Sequence, residues 1–261
     1  MFSRMSVGQY IPLRSFLHSL DARTKIIATI ILLLLIILAT YPYKLITMIL
    51  ITSFLMLVSR IPFNFYLQAL KPFWWIIFIT ALLQLLLIDG AAFFSIWGIT
   101  ISWVGAYTAL TITTKLILLL IVIRILTATT TPSALMGGIE KLLKPFRYIG
   151  MPVDELVMIM TISLRFVPLF FEEAERIHQA QISRGISFKT GTIKQRFKSL
   201  SSLLIPLFKI SFNRALDIAT AMEVRCYNGG KNRTHLYELK FRKADYISIL
   251  GMLVLLIFII V

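Results

Sequence analysis

The amino-acid sequence predicts an all-α integral membrane protein: about five membrane-spanning helices and a basic domain of about three helices on the cytoplasmic side, two of them long and crossing. Three observations carry this. The 261 residues are 58% apolar, with a mean hydropathy of +0.84. The runs Ile26–Tyr43, Pro72–Ile88, Gly90–Thr114 and Tyr246–Val261 contain no Asp, Glu, Lys or Arg. They approach the roughly 20 residues that carry a helix across about 30 Å of hydrocarbon. Finally, 18 of the 27 Lys and Arg lie between Lys141 and Lys243. Basic residues gather on the cytoplasmic side of membrane proteins, near anionic lipid. The net charge of +15 therefore marks one cytoplasmic segment beside a bilayer, and no nucleic acid is needed to explain it.

The spans are expected at Ile26–Tyr43, Leu45–Ser59, Pro72–Ile88, Ala106–Thr127 and Tyr246–Val261. Arg4, Arg14, Arg23 and Lys25 hold the N-terminus inside, and Met1–Lys25 offers no small-residue cleavage site, so it is not expected to be a cleaved leader. Arg60 and Lys71 flank an expected inner loop, and the Lys/Arg-free stretch Asp89–Ser102 is expected outside. Five spans then put the C-terminus outside and satisfy the positive-inside rule at every turn. The expected division is 1–127 for four N-terminal spans, 128–243 for the cytoplasmic-side domain and 244–261 for a last span. Lys115 and Arg124 inside the fourth span are costly in lipid and should face protein or snorkel.

Residues 128–243 read differently. "TTTPSALMGGIEKLLKPF" predicts a short helix opened by Pro132 and stopped near Lys144-Pro145. "VDELVMIMTISLRFVPLFFEEAERIHQAQISRG" (153–185) opens with acidic residues, as a helix N-terminus prefers. It is apolar in its first half, charged in its second, and closes on Arg184 and Gly185, a left-handed stop. Pro168 should kink it. "RFKSLSSLLIPLFKISFNRALDIATAMEVRCYNGG" (196–230) repeats the design, with Pro206 in an apolar stretch, then a polar half, Arg225, and glycines at 229 and 230. Each apolar half needs lipid or a partner protein to cover it.

Catalytic patterns are missing. His18, His178 and His235 have no zinc-ligand spacing, and neither a G-x-S-x-G nor a phosphate-binding Gly-rich loop occurs. "GGKNR" (229–233) reads as a turn. Cys226 is the single cysteine, which excludes an internal disulfide and a multi-cysteine metal cluster. Glu172, Glu173 and Glu175 could be imagined as metal ligands, but Glu172 and Arg176 stand four apart and read as a surface ion pair. Arg165, in an apolar half, reads as a buried or snorkelling ion-pair partner rather than a substrate contact. No cofactor is expected. The macrodipole favours a cation at a helix C-terminus, and a Lys would serve as well as an Arg. Two arginine-tipped helices of parallel design point instead to anionic grooves on a partner, where the planar guanidinium grips a carboxylate through paired hydrogen bonds.

At these residues the sequence resembles the transmembrane T component of energy-coupling factor transporters, ATP-driven importers of vitamins and metals in prokaryotes. The likeness covers nearly the whole chain, through "GQYIPLRSFLHSLDARTK" (8–25), "PVDELVMIMTISLRFVPLFFEEAERIHQAQISRG" (152–185) and "IPLFKISFNRALDIATAMEVRCYNGG" (205–230). The family's two Ala-Arg-Gly motifs fall on Ser183-Arg184-Gly185 and Val224-Arg225-Cys226, keeping each arginine. Asp21-Ala22-Arg23 stands where the family has Asp-Pro-Arg. The resemblance implies a non-catalytic, multi-pass protein of the prokaryotic cell membrane. Its two motifs would anchor a homologous pair of cytosolic ATPase subunits. The apolar half-helices would hold a small membrane-embedded substrate-binding protein, the S component, through Leu156, Met160, Leu164 and Phe170 on the first and Leu203 and Leu207 on the second. Two other readings compete. A permease subunit of a conventional ATP-driven importer would carry its own translocation path, yet such subunits engage each ATPase with one coupling helix and work as a pair. An intramembrane enzyme holding phosphate with Arg would turn over without ATPases.

Overall fold

Several helices begin where the sequence supplies a partner for their first amides, or needs none. In a computed structural model that describes residues 10–13, 15–88, 92–96, 99–188, 192–227 and 243–260, α1 (Phe16–Ser19) is one turn capped by the Ser15 hydroxyl. α2 (Ala22–Leu38) starts at Asp21, whose carboxylate accepts from the Arg23 amide at 2.9 Å. α3 (Pro42–Ser59) opens on Pro42, which has no amide to leave unsatisfied. α4 (Phe63–Leu70) passes through a tight turn at Lys71–Phe73 into α5 (Trp74–Leu87). An antiparallel hairpin of β1 (Ala92–Ile96) and β2 (Ile99–Ser102) leads into α6 (Trp103–Thr129), which the Ser102 hydroxyl caps by accepting from the Gly105 amide at 2.9 Å. Then come α7 (Pro132–Leu143), a 3-10 stretch at Lys144–Ile149, α8 (Val153–Ser183), α9 (Ile193–Val224) and α10 (Lys243–Ile260). Thr192 and Gln195 form a reciprocal capping box at the start of α9.

The helical class predicted from the sequence holds, and a helix lies in each expected span. The first ends early, α2 stopping at Leu38 and α3 starting at Pro42 inside the expected Ile26–Tyr43. Pro42–Ser59, Phe63–Leu87 and Trp103–Thr129 have the length and composition to cross a membrane; α2, with 17 residues, and the apolar stretch Ala244–Ile259 are shorter. Three details correct the expectation. Lys71 is not in a loop: it lies inside a continuous helical segment from Phe63 to Leu87, because Pro72 occupies the first turn of the tight helix, where a missing amide is tolerated. The expected inner loop shrinks to Arg60–Pro62, with Arg60 in the left-handed conformation (φ 57°). The stretch expected outside contains the hairpin, whose Phe, Ile and Thr content suits extended backbone. α8 and α9 run unbroken through Pro168 and Pro206. Arg4, Arg14, His235 and the 229–233 turn lie outside the described residues.

The described residues form two compact units, one of 10–139 with 243–260 and one of 140–227. In the first, α6 packs against α2, α3, α4 and α5, and the core falls into two clusters. One joins Leu32, Leu35, Ile36, Met48, Val122 and Ile259. The other joins Leu17, Leu20, Ile61, Tyr66, Ile125 and Ala128. The cations inside α6 face protein, as predicted: the Lys115 ammonium donates to the Ile37 carbonyl at 3.0 Å, and the Arg124 guanidinium sits 3.7 Å over the Phe65 ring.

α10 is apolar nearly all round, so hydrophobicity alone does not fix its position. Polar contacts at its two ends do. Asp245, fully buried in the first turn, accepts from the Asp21 amide at 2.8 Å. At the other end, the Lys44 ammonium donates to the Ile259 carbonyl, one of the carbonyls a helix C-terminus leaves unpaired. An acid at the N-terminus and a cation at the C-terminus both complement the helix dipole. Beside Asp245, buried Lys25 donates to the His18 and Thr129 carbonyls at 3.2 and 3.0 Å, with the Asp21 and Asp245 carboxylates close enough to stabilise its charge.

Candidate functional site

The two arginine tips belong to the 140–227 unit and share one backbone design. α8 ends in a Schellman motif: the Gly185 amide donates to the Ile182 carbonyl at 2.9 Å, and the Ile186 amide to the Gln181 carbonyl at 3.0 Å. α9 ends the same way, the Cys226 amide donating to Glu223 at 2.8 Å and the Tyr227 amide to Met222 at 3.0 Å. Each arginine is the last residue before the reversal, with φ −85° at Arg184 and −87° at Arg225. The next residue is left-handed, Gly185 at φ 82° and Cys226 at φ 55°. Similar sequence thus becomes superimposable local geometry: a helix end, an exposed guanidinium, a sharp reversal.

The third motif position needs conformational freedom, not space. A Cβ built on Gly185 meets nothing within 4 Å, so its glycine serves the positive φ. Cys226 is exposed and free, and it holds the same conformation with a side chain, at about 1–3 kcal/mol of strain. We therefore expect Cys226→Gly to strengthen the α9 end by about 1 kcal/mol, and Gly185→Ala to weaken the α8 end by a similar amount. Amide exchange at Cys226, Tyr227, Gly185 and Ile186 would read both. Unchanged protection in both variants would show that the reversal is imposed from elsewhere.

Ser183 and Val224, the first motif residues, are exposed, as are Arg184 and Arg225. Neither guanidinium meets a partner among the described residues, so five N–H donors at each tip stay free for an anionic acceptor. The tips are also far apart. The Ser199 hydroxyl donates to the Ser187 carbonyl at 2.9 Å, and the His178 and Phe188 rings lie 4.6 Å apart. These contacts pin the α8 end and its linker beside the early part of α9. From Ser199 to Arg225 the helix rises about 39 Å at 1.5 Å per residue. Arg184 is three residues from Ser187, within about 10 Å. The two tips are therefore at least about 20 Å apart, well beyond the 10–12 Å diameter of one helix.

α8 and α9 pack together and leave apolar surface uncovered. Leu156 and Met160 are exposed, whereas Leu164, Phe170, Leu203 and Leu207 are half-buried. Between its two ends, the most open apolar side chains on α9 are Phe197, Ile205, Phe208 and Phe212, each more than 65% exposed. Sequence reasoning took Leu203–Phe212 as the surface, singling out Leu203 and Leu207, and passed over Phe197. The steps 197, 201, 205, 208, 212 follow one helical stripe and could have revealed it. The acidic side chains also differ from expectation. Arg176 faces Glu173 at 3.9 Å and not Glu172, a pair three apart on the helix instead of four. Arg165 is exposed and makes no ion pair among the described residues. Asp154, in the first turn of α8, receives Arg147 at 2.8 Å, which ties the 3-10 stretch to the helix it precedes.

A family model described as a cobalt transport protein matches residues 14–236. A protein of Acidaminococcus fermentans is 41% identical over 260 residues, 98% of this chain and 96% of its own length. One of Thermosediminibacter oceani is 41% identical over 245 residues, 92% of this chain and 91% of its own. One of Bacillus subtilis is 36% identical over 256 residues, covering 98% and 97%. Each is called energy-coupling factor transporter transmembrane protein EcfT.

Proposed function

The chain belongs to the family of transmembrane T components of energy-coupling factor transporters, and from that membership we propose that it links two cytosolic ATPase subunits to a membrane-embedded S component during ATP-driven uptake of a vitamin or other micronutrient. The observation that carries the proposal is the pair of alike arginine tips at least about 20 Å apart. One groove cannot take both. Two grooves related by the symmetry of an ATPase dimer can, and a single chain then holds both ATPases. Each guanidinium would meet a carboxylate in its groove, with Ser183-Arg184-Gly185 and Val224-Arg225-Cys226 as the contact segments. Closing of the ATPases on ATP would draw the tips together, and the long helices behind them would carry the movement to the S component. No bond is made or broken by this chain, so hydrolysis belongs to its partners.

The apolar faces of α8 and α9 are the proposed seat of the S component. Leu156, Met160, Leu164 and Phe170 would contribute on α8, Leu203 and Leu207 on α9, with Phe208 and Phe212 as the most accessible. Co-purification of the tagged chain should yield one copy per two ATPases and one S component. Leu164→Glu and Phe208→Glu should each lower S-component recovery by at least tenfold while the ATPases stay bound. A stoichiometry of two chains per ATPase pair, or loss of the ATPases with the S component retained, would reject the assignment.

In the cell membrane of a prokaryote the N-terminus and residues 128–243 would be cytoplasmic and the C-terminus outside. Reporters fused after Val261 and inserted near Thr190 should therefore read opposite sides. The same side for both would reject five spans.

A further inference from the structure

Between the two core clusters of the membrane unit lies a cavity of about 310 Å³. We propose that it is a binding site for one acyl chain of a membrane phospholipid, with the ester end at Thr24 and the chain running along α2 toward Leu32.

Four observations support this. The first is the shape. The lining follows four helices over about two turns each, Thr24–Leu32 on α2, Ile51–Val58 on α3, Val122–Thr129 on α6 and Ser248–Leu255 on α10. Seven residues of helix rise about 10 Å, so this volume has a mean cross-section of about 30 Å². So narrow a slot suits a flexible chain better than a helix 10–12 Å across with its side chains. The second is wall chemistry. Leu20, Leu32, Ile51, Val122, Ile125 and Leu255 make the body apolar, and an apolar cavity stays dry and takes an apolar occupant. Lys25 and the hydroxyls of Thr24 and Thr129 gather at one end, with Thr29 and Ser248 the other polar side chains of the lining.

The third is an orphaned group at that end. Thr24 is 1% exposed, and its hydroxyl has no hydrogen-bond partner among the described residues. A buried hydroxyl without a partner is unfavourable, and the carbonyl of an acyl ester would accept its proton. The fourth is access. Most lining residues are buried or half-buried, but Phe16, Phe54 and Gly251 are exposed, so they form the rim. α10 packs on α2, and α3 on α6 and α1. α3 and α10 meet where Lys44 reaches Ile259, and the rim residues Phe54 and Gly251 face the surface between them. At Gly251 a Cβ meets nothing within 4 Å, so bare backbone leaves the entrance open. The surroundings of this unit are lipid, and the volume lies within the 300–1,000 Å³ of ordinary ligand pockets.

The test places the full chain in nanodiscs of phosphatidylglycerol and phosphatidylethanolamine containing a trace of phosphatidylglycerol with a diazirine in mid-chain. After photolysis, adducts are mapped by peptide mass spectrometry. Peptides of α2 (24–32) and α10 (248–255) should be labelled at least fivefold above the exposed face of α5. Gly251→Phe and Ala28→Phe, two independent fillings of the slot, should each cut that labelling at least threefold while α5 labelling stays constant. Thr24→Val should move the adducts along α2, since the polar end loses its anchor. Lining peptides labelled no more than α5, or labelling indifferent to both fillings, would overturn the site. Labelling that vanishes when the ATPases and S component are added would assign the slot to a protein and overturn the lipid.

Discussion

Arg184→Ala/Arg225→Ala should abolish ATPase co-purification and uptake while the chain still inserts and folds. In the proposed complex each guanidinium is buried against a carboxylate, and truncating one member of such a pair costs about 2–5 kcal/mol, much of it from the charge left stranded. Since about 1.4 kcal/mol is a factor of ten, either single Ala variant should weaken assembly at least about tenfold. The double variant should be far worse than either. Two tethered anchors raise each other's effective concentration, and losing both removes that benefit. Arg→Lys keeps charge without the fork and should fall between wild type and Ala. If the arginines merely complement the helix dipole, the outcome differs: Lys equals Arg, the effect is about 0.3–1 kcal/mol, and ATPase binding is unchanged. Both tips are exposed and end in the same reversal, so the two single variants should behave alike. Wild-type assembly and uptake in the double Ala variant would refute the coupling role.

The second large effect lies in the membrane unit. Asp245→Ala should lower the melting temperature in detergent by on the order of 10 °C, from about 3–5 kcal/mol of lost stability. The carboxylate is fully buried, receives the Asp21 amide and helps stabilise the Lys25 charge. Removing it strands the buried Asp21 amide and takes one of two carboxylates from the Lys25 ammonium. Asp245→Asn retains an acceptor for the Asp21 amide and gives up only the charge, so it should lose less than Ala. Lys44→Met, at the opposite end of α10, should expose the gap at the Ile259 carbonyl in the same assay with a smaller loss, because one hydrogen bond from a charged donor is worth about 1.5–3 kcal/mol. An exposed ion pair would be worth about 0–1 kcal/mol. A melting temperature within about 2 °C of wild type for Asp245→Ala would show that α10 is held by apolar contact alone.

Membrane class, the five apolar helices and the two arginine-tipped helices were all legible in residue order, because each rests on a local property. A charge-free run is long enough or it is not. An Arg followed by a left-handed residue ends a helix wherever it stands, even where Cys226 replaces a glycine. What required the tertiary structure was every pairing at a distance. Asp245 reads as an ordinary first-turn acid until it is found 224 residues away from its partner, the Asp21 amide. Lys44 reads as the outer flank of a span until it reaches Ile259. The half-helices could be named as partner surface from composition, but only packing separates half-buried Leu203 and Leu207 from exposed Phe208 and Phe212. Similarly, the slot beside Thr24 has no signature, since it is a space left where two core clusters fail to meet. Helices and their caps depend on neighbours three or four residues away. Contacts between helices, and the gaps between them, depend on which faces meet, and in a chain apolar on all sides hydrophobicity does not choose the face.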